Sequence, residues 1–534
     1  MTRKRPNIVV VVADDITPSY HGCYGGPTPT PNIDRIASDG VRMQRGYGCS
    51  SLCCPSRWNL FTGQFTGRSR WAHQDAAPED PYCISQNGML DLDTPTLAKT
   101  LRGAGYHTGH IGKWHSRFNV EGDFDFEEPV RIPGDPDDPA VDAEIRRRHA
   151  NAVEVVKRTA GFEHVDCVNW GNLGSKQHDP RLRAHNIGWM TDGALDFLDQ
   201  AGGDDRPFYL HLANTIPHAP DCLDSLGVDH RYTWAGKLDE APRSHPADET
   251  VIERLRAAGI QTSGPIASVN AGMIMIDDQI GAILRKLDEI GERDNTIVIY
   301  TADHGVPGKG SCYATGQHLP FVMAWPAGMP GGQVVHDIFS WVDVVPTLCA
   351  ACDVQMPAEH ILDGVDVLPA LQGRGSWPRQ LAYHEMGWSR SVIKGRYHYI
   401  ANRYPQTAIQ AWQRGEQQPK PGIGVGFDSL NAPFLPDYFA PDQLYDLQTD
   451  PFERSNLVDD PTRAPVLADL KAELKTITDT LPRPFPAEPD PFLESDTYQK
   501  LLSERRAEMD AIQHYPAGDA PHIWFANLHD PDAD

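Results

Sequence analysis

Two adjacent carboxylates, Asp14-Asp15, stand directly after the apolar run Ile8-Val9-Val10-Val11-Val12. Asp303-His304 follows a second such run, Ile297 to Thr301. Gly112-Lys113-Trp114-His115 closes a third, and Pro217-His218-Ala219-Pro220 comes shortly after a fourth, Phe208 to Ala213. Three carboxylates meeting without a cation would repel one another and resist ionisation. A divalent metal removes that conflict. The oxygen majority among Asp14, Asp15, Asp303 and His304 favours Ca2+ or Mg2+, while the imidazole leaves Mn2+ or Zn2+ open. Alone, Asp14-Asp15 is equally well a turn after a strand; the joint pattern with Asp303-His304 points to a metal.

A further segment reads Cys53-Cys54-Pro55-Ser56-Arg57, then Leu60-Phe61-Thr62-Gly63. Pro55 near a first helical turn places Cys53 just before a helix N-terminus, where anions are favoured and a thiol is acidified. A bare cysteine there reads first as one of a buried pair. Cys349 and Cys352 have redox-motif spacing, but their apolar segment, Val344 to Val354, makes them buried thiols.

These clusters need a frame that gathers them. The β-branched run Ile8 to Val12 fits a parallel strand covered on both faces. Thr30-Pro31 then opens a helix with Ile33, Ile36 and Ala37 on one face and Gly40 as its stop. Thr94-Pro95 repeats the device ahead of Leu97, Leu101 and Ala104, and a strand Tyr106 to Ile111 follows. Helical spacing recurs at Ile187, Met190, Ala194 and Leu198, and at Ile276, Ile280, Ile283, Leu284 and Leu287; a strand follows each. Leu319 to Trp325 is one more apolar strand. The alternation predicts an α/β fold with a large, mostly parallel central sheet flanked by helices. In such sheets ligands bind at the carboxyl ends of the strands, where the polar clusters stand.

Residues 116–179, acidic and rich in Pro and Gly at first, read as a long surface excursion that contacts substrate, and 221–264 is a second polar stretch. Near residue 375 the pattern changes to short strands, at Leu381–His384, Ser391–Lys394, Tyr397–Ile400 and Gln443–Leu447. The expected division is a catalytic α/β domain over 1–375 and a smaller C-terminal antiparallel-sheet subdomain over 376–534. Its Pro- and Asp-rich tail begins near Pro482 and wraps the surface.

The 534 residues carry a net charge of −25, which argues against binding nucleic acid or an anionic membrane surface. No apolar run approaches the roughly 20 residues of a membrane helix. The short apolar run at the N-terminus ends in Asp14-Asp15 without a cleavage site, so the sequence as given reads as cytoplasmic, unless a leader was removed before it.

Cys53-x-Pro55-Ser56-Arg57 followed by Thr62-Gly63 resembles the signature of the type I, formylglycine-dependent sulfatases of the alkaline phosphatase superfamily. Asp14-Asp15, Gly112-Lys113-Trp114-His115, Pro217-His218-Ala219-Pro220 and Asp303-His304-Gly305 with Gly308-Lys309-Gly310 reinforce it. So does Leu444-Tyr445-Asp446-Leu447, with Asp450-Pro451, Glu453-Arg454 and Asn456-Leu457. The likeness spans roughly residues 6 to 460. It implies hydrolysis of a sulfate ester, of a sulfated carbohydrate or a small organic sulfate. It implies that a maturase oxidises Cys53 to formylglycine (3-oxoalanine), whose hydrate attacks sulfur, and that Asp14, Asp15, Asp303, His304 and residue 53 hold the cation. Arg57 and Lys113 would hold the hydrate, His115 would be the base that releases sulfate, and His218 and Lys309 would bind sulfate oxygens, one of them serving as acid for the leaving alcohol. Two departures stand out. Many relatives carry Asn where this chain has His304, and the common Tyr-Glu-Gly-Gly-x-Arg pattern is here Tyr313-Ala314-Thr315-Gly316-Gln317-His318. A phosphonate monoester or phosphodiester hydrolase on the same scaffold is the alternative; a binding protein that kept the fold is the third reading. Sugar type, sulfate position and oligomeric state are not legible in the sequence.

Overall fold

In a computed structural model, residues 4–73, 82–85, 90–116, 134–173, 179–244, 248–414 and 435–512 are described. The first strand, β1 (Asn7–Ala13), is buried along its whole length. Full burial of each Val or Ile contributes roughly 1.5–3 kcal/mol, and it demands cover on both faces. Helix α1 (Pro31–Asp39) buries Ile33, Ile36 and Ala37, as their spacing requires. It leads into β2 (Val41–Tyr47), a strand whose mixed sequence gave no clear period. Helix α2 (Cys53–Thr62) follows, then α3 (Leu97–Gly103) and β3 (His107–Lys113). The cap of α3 is Thr96, which accepts from Lys99 N at 3.1 Å, rather than Thr94 two residues earlier.

The stretch expected as a surface excursion contains α4 (Pro139–Ala160) and β4 (His164–Asn169); its 117–133 and 174–178 portions lie outside the described residues. Asp138 caps α4, accepting from Ala140 N at 2.8 Å, and Ile145, Ala152, Val155, Val156 and Thr159 form its buried stripe. That stripe is interrupted by Arg146, Arg147 and Arg148, and this hid its helical period. Next come α5 (Ile187–Gly202), β5 (Phe208–Ala213), a small hairpin β6 (Tyr232–Thr233) and β7 (Gly236–Lys237), and helices α6 (Asp248–Ala257) and α7 (Pro265–Glu289). Asn186 caps α5 by accepting from Trp189 N at 3.3 Å.

Four strands complete the main sheet: β8 (Thr296–Ala302), β9 (His318–Leu319), β10 (Phe321–Ala324) and β11 (Gln333–Ser340). Its order is β11-β2-β10-β8-β1-β5-β3-β4, with β9 alongside β2. The block β8-β1-β5-β3-β4 is parallel throughout; β10 runs antiparallel to both neighbours. Helices flank the sheet: α5 packs on β3, β4 and β5 and on α7, and α2 packs on α3 and on the helix Val344–Cys352. Cys349 and Cys352 on that last helix are buried thiols.

A second sheet of four antiparallel strands, β12 (Leu381–Met386), β13 (Ser389–Lys394), β14 (Tyr397–Asn402) and β15 (Asp442–Asp446), is ordered as in sequence. The helix Ala464–Thr478 packs on β13 and β14. Beyond Pro482 the chain forms a short turn of helix at Pro491–Glu494 and a helix over Asp496–Ile512; residues 513–534 lie outside the described set. No helix among the described residues is long and apolar enough to cross a membrane.

Candidate active site

Four neighbouring parallel strands, β8, β1, β5 and β3, end at the same edge of the sheet. Asp14-Asp15 follows β1, Asp303-His304 follows β8, Lys113 ends β3 and the loop of His218 leaves β5. Parallel register therefore gathers residues as much as 290 positions apart. Cys53, the first residue of α2, reaches the cluster from its own helix N-terminus.

Its thiol lies at the centre. Sγ is 3.6 Å from Asp14 Oδ1, 3.4 Å from His304 Nε2 and 4.0 Å from Lys113 Nζ. One donor atom from each of Asp14, Cys53, Asp303 and His304 falls within 4.8 Å of the others, and Asp15, Cys53 and His218 form a second such group. Lys113 makes a short ion pair with Asp14 and donates to Asn172 Oδ1 at 2.7 Å. Arg57 Nη2 donates to Asp303 Oδ2 at 3.0 Å and lies 4.0 Å from Asp14 Oδ1. Lys309 Nζ donates to Asp15 Oδ2 at 2.7 Å, and His218 Nε2 is 3.6 Å from that same oxygen. Cys53, Arg57, Lys113, His218, Lys309 and all the expected metal ligands lie in this cluster, and His115, two residues beyond Lys113, feels the charges of Lys113 and Asp14. Neither lysine is an ordinary surface lysine: both are buried.

Two of the five described non-glycine residues with positive φ stand here. Asp15 and His115 hold φ of 63° and 43°, a region non-glycine residues rarely adopt. The Asp15 turn is held by its own N–H, which donates to Asp303 Oδ1 at 3.1 Å. Gly112, at φ 97°, lets β3 close on β5, since a Cβ there would fall 2.1 Å from Ala213 O.

The electrostatics follow from burying so many charges. Burial, the largest single effect, pushes the Asp14 and Asp15 carboxyls up, but the neighbouring basic groups together outweigh it, Lys113 with His218 and Arg57 at Asp14 and Lys309 with His218 and His304 at Asp15, so both stay ionised well below the usual range. Asp303 is raised, by burial and by Asp14. Burial lowers His304, yet Asp303 and Asp15 overcome it and hold the imidazole well above its usual value. His304 Nε2 faces Asp15 Oδ1 at 2.9 Å, Cys53 Sγ at 3.4 Å and Asp303 Oδ1 at 3.9 Å. One ring nitrogen turned towards three electron-rich atoms marks a place built for positive charge, and the hard oxygen donors around it suit a divalent cation. His218 is lowered to about 4, by burial and then by Lys309, and His115 is lowered well below its usual value by burial and Lys113. Both histidines are thus neutral near pH 7.

The Lys309 loop lacks the Glu and Arg common in its motif, and other residues brace it. Gly310 N donates to Ser51 O at 3.0 Å, and Ser51 Oγ donates to Ser311 O at 2.6 Å, joining this loop to the Cys53 segment. From the small sheet, Ser391 Oγ donates to Cys312 O at 3.2 Å, and Gln443 Oε1 accepts from Tyr313 OH at 2.5 Å. Glu453 Oε2 accepts from Ala314 N at 2.7 Å. Gly308, at φ 100°, passes so close to Gly316 that a Cβ would meet its N at 2.5 Å.

Sequence reasoning missed Asn172, and quoted Ser56 and Glu453 within motifs without giving either a role. Asn172 follows β4, so recognising the alternation His164-Val165-Asp166-Cys167-Val168 as a strand would have led to it. Ser56 Oγ makes a short bond to Asp303 O that ties α2 to the ligand loop. Elsewhere among the loops, Trp170 is buried in the core, Arg70 and Trp71 are held by Asp91, and His73 Nδ1 is 2.7 Å from Cys83 O.

Comparison with known proteins agrees with this geometry. A family model described as Sulfatase matches residues 6–354. Human arylsulfatase A is 28% identical over 477 residues, covering 85% of this chain and 83% of its own length. The N-acetylgalactosamine-6-O-sulfatase of Bacteroides thetaiotaomicron is 26% identical over 543 residues, covering 89% of this chain and 94% of its own. A solved complex with its substrate D-glucosamine-2-N,6-O-disulfate superposes with a TM-score of 0.56 at 20% identity, over 89% of this chain and 98% of that one. The chain belongs to the sulfatase family and is a sulfuric-ester hydrolase.

Proposed function

We propose that the protein removes sulfate from a sulfated carbohydrate or small organic sulfate, using Cys53 oxidised to formylglycine by a maturase. The observation that carries the reading is the place of the Cys53 side chain, within 4 Å of Asp14, His304 and Lys113 at the N-terminus of α2. Formylglycine supplies a hydrated aldehyde as nucleophile. A divalent cation, Ca2+ by the oxygen majority of the donors, would be held by Asp14, Asp15, Asp303, His304 and residue 53, and would supply Lewis acidity.

The chain's own residues do the rest. Lys113 and Arg57 flank residue 53 and offset the charge that builds on its oxygen. Lys309 stays protonated, held up by Asp15, and faces the site as a fixed positive charge for sulfate oxygens. Such local cations are needed because the chain as a whole, at −25, repels an anionic ester. His218 Nδ1–H donates to Ala219 O at 3.0 Å, which leaves Nε2 bare in the neutral ring and facing the site; a proton taken up there together with the anionic ester is the one passed to the leaving alcohol. His115 Nδ1 is buried without a hydrogen-bond partner among the described residues, and the ring is kept neutral. A neutral, unpartnered imidazole nitrogen is a competent base, and His115 takes the proton from residue 53 as sulfate departs.

The carbohydrate assignment is supported by the names of two relatives, both amino-sugar O-sulfatases. The test compares matured protein on matched aryl sulfate, phosphodiester and phosphonate esters, followed by a panel of defined mono- and oligosaccharide sulfates. Fastest turnover on sulfate supports the proposal. Faster phosphonate or diester turnover overturns it.

A further inference from the structure

We propose that His185 is a positioning residue, which fixes His218 in the site by stapling together the two ends of the loop that carries it. The inference rests on the reading of His218 as a sulfate-facing group and deepens it.

His185 lies just before α5, far from His218 in sequence, and is fully buried. Both ring nitrogens are used. Nδ1 is 2.9 Å from Thr215 Oγ1, and Nε2 is 2.9 Å from Pro220 O. A carbonyl oxygen only accepts, so Nε2 carries the proton and Nδ1 is bare. The Thr215 hydroxyl therefore donates to Nδ1. One imidazole thus spans Thr215 to Pro220, and His218 sits between these ends.

The staple is itself anchored. His185 N donates to Ser225 Oγ at 2.9 Å, and the next residue, Asn186, caps α5. The loop has few other means of being held, since Pro217 and Pro220 offer no N–H. Among the described residues, its backbone is tied into the site by Asp14 N, which donates to Ile216 O at 3.0 Å. His185 is thus the rigid link from α5, packed on the sheet, to a side chain that must face the sulfate within a fraction of an ångström.

The experiment is a double-mutant cycle on matured protein, with 4-nitrophenyl sulfate as the probe. H185F keeps the ring shape and loses both bonds; H185Q keeps one donor and one acceptor. H185F is expected to lower kcat/KM by roughly 10- to 100-fold, mainly in kcat. H185Q recovers most of that loss. On the H218A background, H185F adds no more than about twofold, because its effect acts through His218. A full-sized H185F loss on H218A means a merely structural role and overturns the proposal, as does an H185F protein as active as wild type beside a slow H218A. If H218A itself is as active as wild type, the reading of His218 falls, and the staple's role falls with it. Should H185F fail to fold, T215V, which removes one end of the staple, replaces it in the same cycle with the same criteria.

Discussion

Glu453 offers a test of how the small sheet supports the active-site loop. It is fully buried, accepts from Ala314 N at 2.7 Å through Oε2, and makes a short contact with His398 Nδ1 through Oε1. Burial foremost, with Asp450 adding, holds its carboxyl well above the usual range, and burial lowers His398 to about 3. The pair is therefore neutral, with the carboxylic acid donating to the imidazole. Gln reproduces that pattern: its oxygen serves Ala314 and its amide serves His398. E453Q should then cost within about 1 kcal/mol, whereas E453A leaves two buried polar groups unpaired at about 1–3 kcal/mol each. At about 2.1 cal/mol/K of unfolding entropy per residue, a chain of this length shifts by about 1 °C per kcal/mol. Thermal melting should thus fall by about 2–6 °C in E453A and about 1 °C or less in E453Q. The pH dependence has a definite sign. A raised folded pKa favours the protein below the unfolded value of 4.5, and that contribution is lost as pH rises through the folded pKa. E453Q lacks this loss and keeps His398, so its melting temperature should gain on wild type as pH climbs above 4.5. If E453Q costs the 3–5 kcal/mol expected of a broken buried ion pair, or the pH difference is flat, the neutral-pair reasoning is wrong.

Other predictions follow from the site. K113M removes the partner of Asp14 and should lower kcat by about 10²- to 10³-fold with little change in KM, read by steady-state kinetics. G112A forces a Cβ to 2.1 Å from Ala213 O and should cost more than about 1 kcal/mol while displacing Lys113, seen as a lower melting temperature together with lower activity. A bound divalent cation at 100 times its Kd should stabilise the protein by about 2.7 kcal/mol, a melting gain that chelation reverses. H304N exchanges a nitrogen for an oxygen donor and should move metal preference away from Mn2+ and Zn2+ towards Ca2+ and Mg2+, measured by elemental analysis of the loaded protein.

Much of the frame was legible because buried parallel strands have an unmistakable composition. Ile8 to Val12, Phe208 to Ala213 and Ile297 to Thr301 fall on β1, β5 and β8, and the rule that ligands collect at strand ends placed their polar neighbours together. Asp14, Asp15, Lys113, His115, His218, Asp303 and His304 stood out because each lies near the end of such a run, whereas Arg57 and Lys309, and the reactive role of Cys53, were named through the resemblance to the sulfatases. The elements that escaped are those whose burial is partial. The arginine-laden face of α4 hid its stripe, β2 alternates weakly, and β4 is an edge strand of mixed polarity. The parts played by Asn172, His185 and Glu453 escaped for a different reason. Their role is fixed by a tertiary partner, and no local spacing encodes that Glu453 will meet Ala314 across 139 residues.

The most direct measurement is mass spectrometry of the peptide containing residue 53, taken from protein made with and without a maturase and set against turnover of an aryl sulfate. The account predicts an aldehyde at residue 53 in proportion to activity, and none of either in C53A. Full activity from protein whose Cys53 is an intact thiol, or from C53A, would contradict it.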